Sequence, residues 1–114
     1  MAQRPVLLVR ARIDPAALPE FRAWHHRVHL PHVLAIPGIV GYRGLSYGPG
    51  APAGAPNVVS LYLFADEGVV QKALASAEAQ RARADWEQWA GRVRDLAIQI
   101  YAPVNARATL RHVN

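Results

Sequence analysis

A chain of 114 residues holds one domain and leaves little room for a second. Apolar residues make up 52% of it and charged residues 18%, which supplies a core and excludes an intrinsically disordered chain. There is no cysteine, which excludes disulfides, thiolate nucleophiles and cysteine-bound metals, and the net charge of +5 comes from scattered arginines without a dense run, so no nucleic-acid partner is expected.

The apolar run Pro5 to Val9 is interrupted by Arg10. A signal peptide needs a longer apolar stretch and a membrane span needs about 20 such residues. The expectation is a cytoplasmic protein with no membrane partner. Pro5 to Ile13 reads as a first strand, with Arg10 and Arg12 on one face and Val9, Ala11 and Ile13 on the other. Asp14-Pro15 is an expected N-cap with proline at the first helical position. Pro19 removes an amide that a helix would use, so the regular helix is expected to start nearer Pro19, after a single turn.

At about 100° per residue, Leu18, Phe21, His25, Val28, His32 and Ile36 fall on one side of that helix. Pro31 lies inside the pattern and predicts a bend, because it removes the bond to the Arg27 carbonyl. Ile36-Pro37-Gly38 stops the helix. Ile39 to Tyr47 reads as a second strand, residues 48–57 as a Gly/Pro/Ala loop and Val58 to Ala65 as a third strand. Asp66 is expected to cap a second helical region carrying Val69, Val70, Ala73 and Leu74. A break near Ser76 precedes a helix with Trp86, Trp89 and Val93, and Leu96 to Ala102 completes a fourth strand.

The order strand, helix, strand, strand, helix, strand is the split arrangement of ferredoxin-like α+β folds. It predicts a four-stranded antiparallel sheet with all helices on one face, as a single domain over residues 1–103 and a tail over 104–114. On either registration of the strands the uncovered face is expected to carry apolar groups such as Leu61, Leu63, Ile98 and Ile100 or their neighbours, a patch large enough to call for a second copy. A homodimer is the expected assembly.

Phe21 and Trp24, the triplet His29-Leu30-Pro31, Pro37-Gly38 and the following Tyr42-Arg43-Gly44-Leu45 resemble the dimeric α/β-barrel superfamily, nearest to its EthD-like and antibiotic-biosynthesis-monooxygenase-like branches. Leu74, Trp86 and Trp89 resemble the second half of such proteins. The resemblance implies that His29 stands at the family's His-x-Pro histidine. Many relatives carry an acid just before it, and here that residue is Val28, so any orienting carboxylate must come from elsewhere. It also implies a small-molecule enzyme of the isomerase, cyclase or cofactor-free monooxygenase type, acting on an aromatic or polyketide-like intermediate and needing no cofactor. The alternative is a non-catalytic, ligand-binding or stress-associated barrel.

Four of the five histidines lie within eight residues: His25, His26, His29 and His32. His25, His29 and His32 are four and three apart and project from neighbouring parts of one helical surface, while His26 points away. A shared metal ion would need a third ligand; the HExxH pattern is absent and no acid lies between Glu20 and Asp66, so no metal site is expected. Haem is disfavoured because the second helical region has no histidine. An imidazole that titrates near neutrality suits general acid–base chemistry, and a strand tyrosine can hold a developing enolate oxygen. His29 is therefore assigned as the base, His25 or His32 as a second polar group and Tyr62 as its tyrosine partner. His32, Trp24, Tyr42 and Trp86 are assigned to the ligand-binding walls. A purely structural account also fits, with each imidazole bonded to a backbone carbonyl and the tryptophans acting as packing anchors.

Overall fold

The alternation in the first apolar run is realised as strand β1 (Val6–Ile13), which buries Leu7, Val9, Ala11 and Ile13 and turns Val6, Leu8, Arg10 and Arg12 to the other face. The structure is a computed structural model and describes residues 4–104. A 3₁₀ turn (Pro15–Ala17) leads to helix α1 (Leu18–Trp24), so regular helix does begin one residue before Pro19. Asp14, however, makes no side-chain cap; its carboxylate lies 3.7 Å from Arg94 instead.

Between α1 and helix α2 (Leu30–Leu34) the backbone widens into a single π-helical segment, His25–His29. Pro31 accounts for it. Its ring crowds the carbonyl four residues back and offers no N–H, and a wider turn absorbs both defects. The extra residue also moves the inner stripe by one position. Beyond His25 the buried residues of the helical segments are His29 and Val33, where even helical spacing predicts Val28 and His32; Val28 is 38% exposed, and Ile36, past the end of α2, is buried as expected. This phase shift brings the histidine of the His-Leu-Pro triplet into the interior.

Strands β2 (Ile39–Leu45), β3 (Val58–Phe64) and β4 (Val93–Tyr101) complete an antiparallel sheet in the order β2-β3-β1-β4. The 3₁₀ turn Glu67–Val69 is capped by Asp66, and helices α3 (Val70–Ala75) and α4 (Ala77–Ala84) are separated at Ser76, whose hydroxyl accepts from the Ala79 N–H. A 3₁₀ segment, Asp85–Trp89, follows α4 and carries both late tryptophans. Gly38 ends the first helical region with φ 99°, and a Cβ there would stand 2.8 Å from Val69. Only glycine tolerates both conditions.

The helices cover one sheet face, over two linked clusters. Leu7, Val9, Val33, Ile36, Tyr62 and Phe64 form one; Ala11, Ile13, Phe21 and Trp89 form the other, and Trp86 packs against both. Cross-strand pairing fixes the uncovered face. Gly41–Leu63–Val6–Tyr101, Arg43–Leu61–Leu8–Gln99 and Leu45–Val59–Arg10–Ala97 make three successive rows across the four strands. Leu61 and Leu63 thus lie where expected. On β4 the neighbours Gln99 and Tyr101 take that face, while Ile98 and Ile100 pair with Val9 and Leu7 and point to the helix side, partly exposed on an edge strand. The ladder slips by one residue between Arg10 and Arg12, beside Asp95 with its left-handed φ of 54°.

Asn57 closes the loop over residues 48–57. Its amide accepts from the Ile13 N–H and donates to the Ile13 carbonyl, both at 2.8 Å, so one side chain replaces a rung of backbone pairing. No helix among the described residues is long and apolar enough to cross a membrane. The expected tail at 104–114 lies, beyond Val104, outside the described residues.

Candidate active site

The site is built where the π-helical segment passes over the sheet and meets the segment after α4. His29 is buried, and its Nδ1 donates to Oδ2 of Asp85 at 2.9 Å. His32, one helical turn on and partly exposed, sends its own Nδ1 to the same oxygen at 2.7 Å. One carboxylate thereby holds two imidazoles. A carboxylate can only accept, so both rings carry their proton on Nδ1 and leave Nε2 as the basic nitrogen. The orienting acid missing at Val28 is supplied by Asp85.

Aromatic rings enclose His29. Trp24 stacks on it with centroids 5.3 Å apart and planes within 13°, and Trp86 meets it edge-on at 5.3 Å. Burial pushes the His29 pKa below the ordinary histidine value, and Asp85 opposes that shift. The ring is neutral at neutral pH, and the flat Trp24 face is suited to stabilise the cation formed when it takes a proton.

His29 and Tyr62 line one small apolar cavity of about 80 Å³, together with Leu7, Val33, Ile98 and Trp86. Tyr62 is 1% exposed and its hydroxyl makes no well-formed hydrogen bond among the described residues. Burial raises its pKa far above the ordinary tyrosine value, with the Ser60 side chain beside it opposing the shift, so it stays protonated at any physiological pH. A buried hydroxyl left without an acceptor is costly, and a ligand oxygen would satisfy it.

His25 and Tyr42 belong to a second, larger cleft of about 350 Å³ between α1 and the ends of β2 and β3. Their centroids are 6.2 Å apart. Burial, helped by His29 and His26, lowers the His25 pKa to about 4, so it is a neutral hydrogen-bonding group and a weak base. His25 contacts His29 at 5.4 Å and Tyr42 contacts Tyr62 at 5.3 Å, so these two pairs stand between cavity and cleft.

The predicted residues are therefore sorted into groups. His29, Tyr62 and Trp86 share the small cavity; His25 and Tyr42 share the cleft; Trp24 stacks behind His29; His32 borders neither space and meets Asp85. The expected bonds from these imidazoles to backbone carbonyls are not what holds them: His29 and His32 are held by Asp85. Tyr101 lies in a row of the uncovered face and Tyr47 lies beyond the end of β2, so neither meets the histidines. Among the described residues no group of three or more His, Asp and Glu side chains is arranged to hold a metal ion. Asp85 is the residue sequence reasoning missed. It follows buried Ala82 by three positions and precedes Trp86, a spacing that places an acid at the border of an inner helical face.

No family model matches the chain, and no curated protein sequence does. Solved structures match it well. An ethyl tert-butyl ether D (EthD) family protein from Bacillus halodurans superposes with a TM-score of 0.73 at 17% identity, over 90% of this chain and all of that one. A cofactor-independent oxygenase from Streptomyces nogalater gives 0.63 at 14% identity, over 92% of this chain and 97% of the other. A dimeric ferredoxin-like protein of unknown function from Jannaschia gives 0.62 at 11% identity, over 89% of this chain and the whole of that one. The ferredoxin-like α+β fold, and the likeness to these barrel proteins read from the His-Leu-Pro and Pro-Gly motifs, are thus shown at the level of fold.

Proposed function

We propose that this protein is a small-molecule enzyme whose first step removes a proton from the carbon next to a carbonyl group. Nε2 of His29 takes the proton. The Tyr62 hydroxyl donates to the oxygen as negative charge develops there, and Asp85 and Trp24 stabilise the imidazolium that results. The observation that carries this reading is the shared cavity: His29, oriented by a carboxylate, and Tyr62, whose hydroxyl stays protonated, line the same apolar space. Returning the proton elsewhere is isomerisation, and letting the carbanion attack within the ligand is cyclisation. The oxygenase among the structural neighbours supports a third outcome, reaction of the carbanion with dioxygen without a cofactor. A non-catalytic role for this cavity is favoured by one fact, its volume of about 80 Å³, which is smaller than the ~150 Å³ that takes a benzene ring.

Exchange of α-protons for deuterium separates the two readings. Small 1,3-diketones incubated in deuterated buffer should lose their α-proton NMR signal faster with the protein than without it, and His29→Ala should remove the acceleration. Equal rates for the two proteins reject His29 as the base. Two copies are proposed to pair through the rows around Leu8, Leu61 and Leu63, as the dimeric neighbour's description suggests by analogy.

A further inference from the structure

The larger cleft differs from the small cavity in its charge. Its lining holds exposed Arg22, His26 and Tyr42, buried His25, and no aspartate or glutamate. Among the described residues Arg22 forms no ion pair, whereas the nearby acids are taken: Glu20 by Arg92 at 3.1 Å and Asp14 by Arg94 at 3.7 Å. A neighbouring hollow, which shares Arg22, Ser46 and Asn57 with the cleft, adds Arg12 from β1, another guanidinium with no acidic partner among the described residues. Two free guanidiniums from separate elements thus converge on one opening, in a chain whose net charge is already +5.

The rest of the wall is apolar or neutral. Val58 and the partly exposed ring of Tyr42 offer a surface for a ligand ring, and Gly44 leaves space that the Tyr42 hydroxyl uses: a Cβ there would come within 2.8 Å of it. The volume of about 350 Å³ is more than twice the ~150 Å³ that accommodates one benzene ring.

We propose that this cleft is a binding site for an organic anion of one or two rings, its carboxylate directed to Arg22 and its ring laid against Tyr42 and Val58. The site is separate from the His29–Tyr62 cavity, and the inference does not depend on His29 being a base. Arg22 acts by charge and by its paired donors, which fit a carboxylate; Arg12 strengthens the attraction at longer range.

Benzoate tests this, with benzamide as its uncharged counterpart. In a titration followed by amide chemical shifts of the wild-type protein, benzoate should saturate the signals of Gly44 and Ser46 and bind about tenfold more tightly than benzamide. Arg22→Gln should weaken benzoate about tenfold and leave benzamide unchanged, while Arg81→Gln, on the exposed side of α4, should alter neither. His29→Ala should still bind benzoate, which keeps this result distinct from the fate of the catalytic reading. Equal affinity for the two probes, shifts centred away from Gly44 and Ser46, or an Arg22→Gln protein that binds benzoate as before would each overturn the proposal.

Discussion

Nδ1 of His29 stands 2.9 Å from Oδ2 of Asp85, a residue 56 positions further along the chain, with the β2–β3 hairpin between them in sequence. This contact selects the imidazole tautomer and aims Nε2 away from the carboxylate. Asp85→Asn keeps the shape and loses the charge. It should lower the His29 pKa further, because the two influences that raise it both come from Asp85. It should also slow any proton exchange at the site by about 10²–10⁴-fold. Imidazole NMR signals followed against pH give the first quantity and the diketone assay the second. A His29 pKa that rises in Asp85→Asn contradicts the assigned geometry.

Acid should destabilise the protein through His25. Its folded-state pKa, lowered to about 4, lies below the ordinary histidine value of 6.5, so the unfolded chain binds the extra proton first as pH falls. The contribution is complete above pH 6.5, declines between 6.5 and about 4, and is gone below that. With solvent screening allowed for, it amounts to about 1–2 kcal/mol. Urea midpoints measured across this range should fall in the wild type and flatten in His25→Gln; parallel curves for the two proteins would assign the acid sensitivity to other groups.

Asn57→Ala should cost about 2–3 kcal/mol, since it leaves both the Ile13 N–H and the Ile13 carbonyl without partners in a part-buried position. Asn57→Asp keeps the acceptor and turns a carboxylate oxygen toward the Ile13 carbonyl, so it should fall well short of rescuing the loss. Thermal unfolding of the two variants beside the wild type is the measurement. A change within about 0.5 kcal/mol for Asn57→Ala, the range of an ordinary surface substitution, would dismiss the anchor.

Leu8 and Leu61 are direct cross-strand partners at the middle of the uncovered sheet face. If two copies bury that face, Leu61→Arg places a charge opposite apolar groups in each copy and should shift a dimer to a monomer in sedimentation at micromolar concentration. A wild-type protein that sediments as a monomer there removes the pairing proposal outright.

The element order, the single-sided helix layer and the histidine cluster were legible in the sequence, because local spacing carries them: alternation in β1, the proline-glycine stop at Gly38 and the Ser76 break each act within a few residues. The inward stripe was legible only as far as His25. From there the π-helical segment advanced it by one residue, and the cost of Pro31 is relieved by whichever widening the packed core permits. The faces of Ile98 and Ile100 were likewise settled by cross-strand register, which a one-residue slip reverses. Asp85 required the tertiary structure altogether. Its meeting with His29 and His32 is a contact between distant segments, made by the packing of the region after α4 against the first helices, and no local period in the chain encodes it.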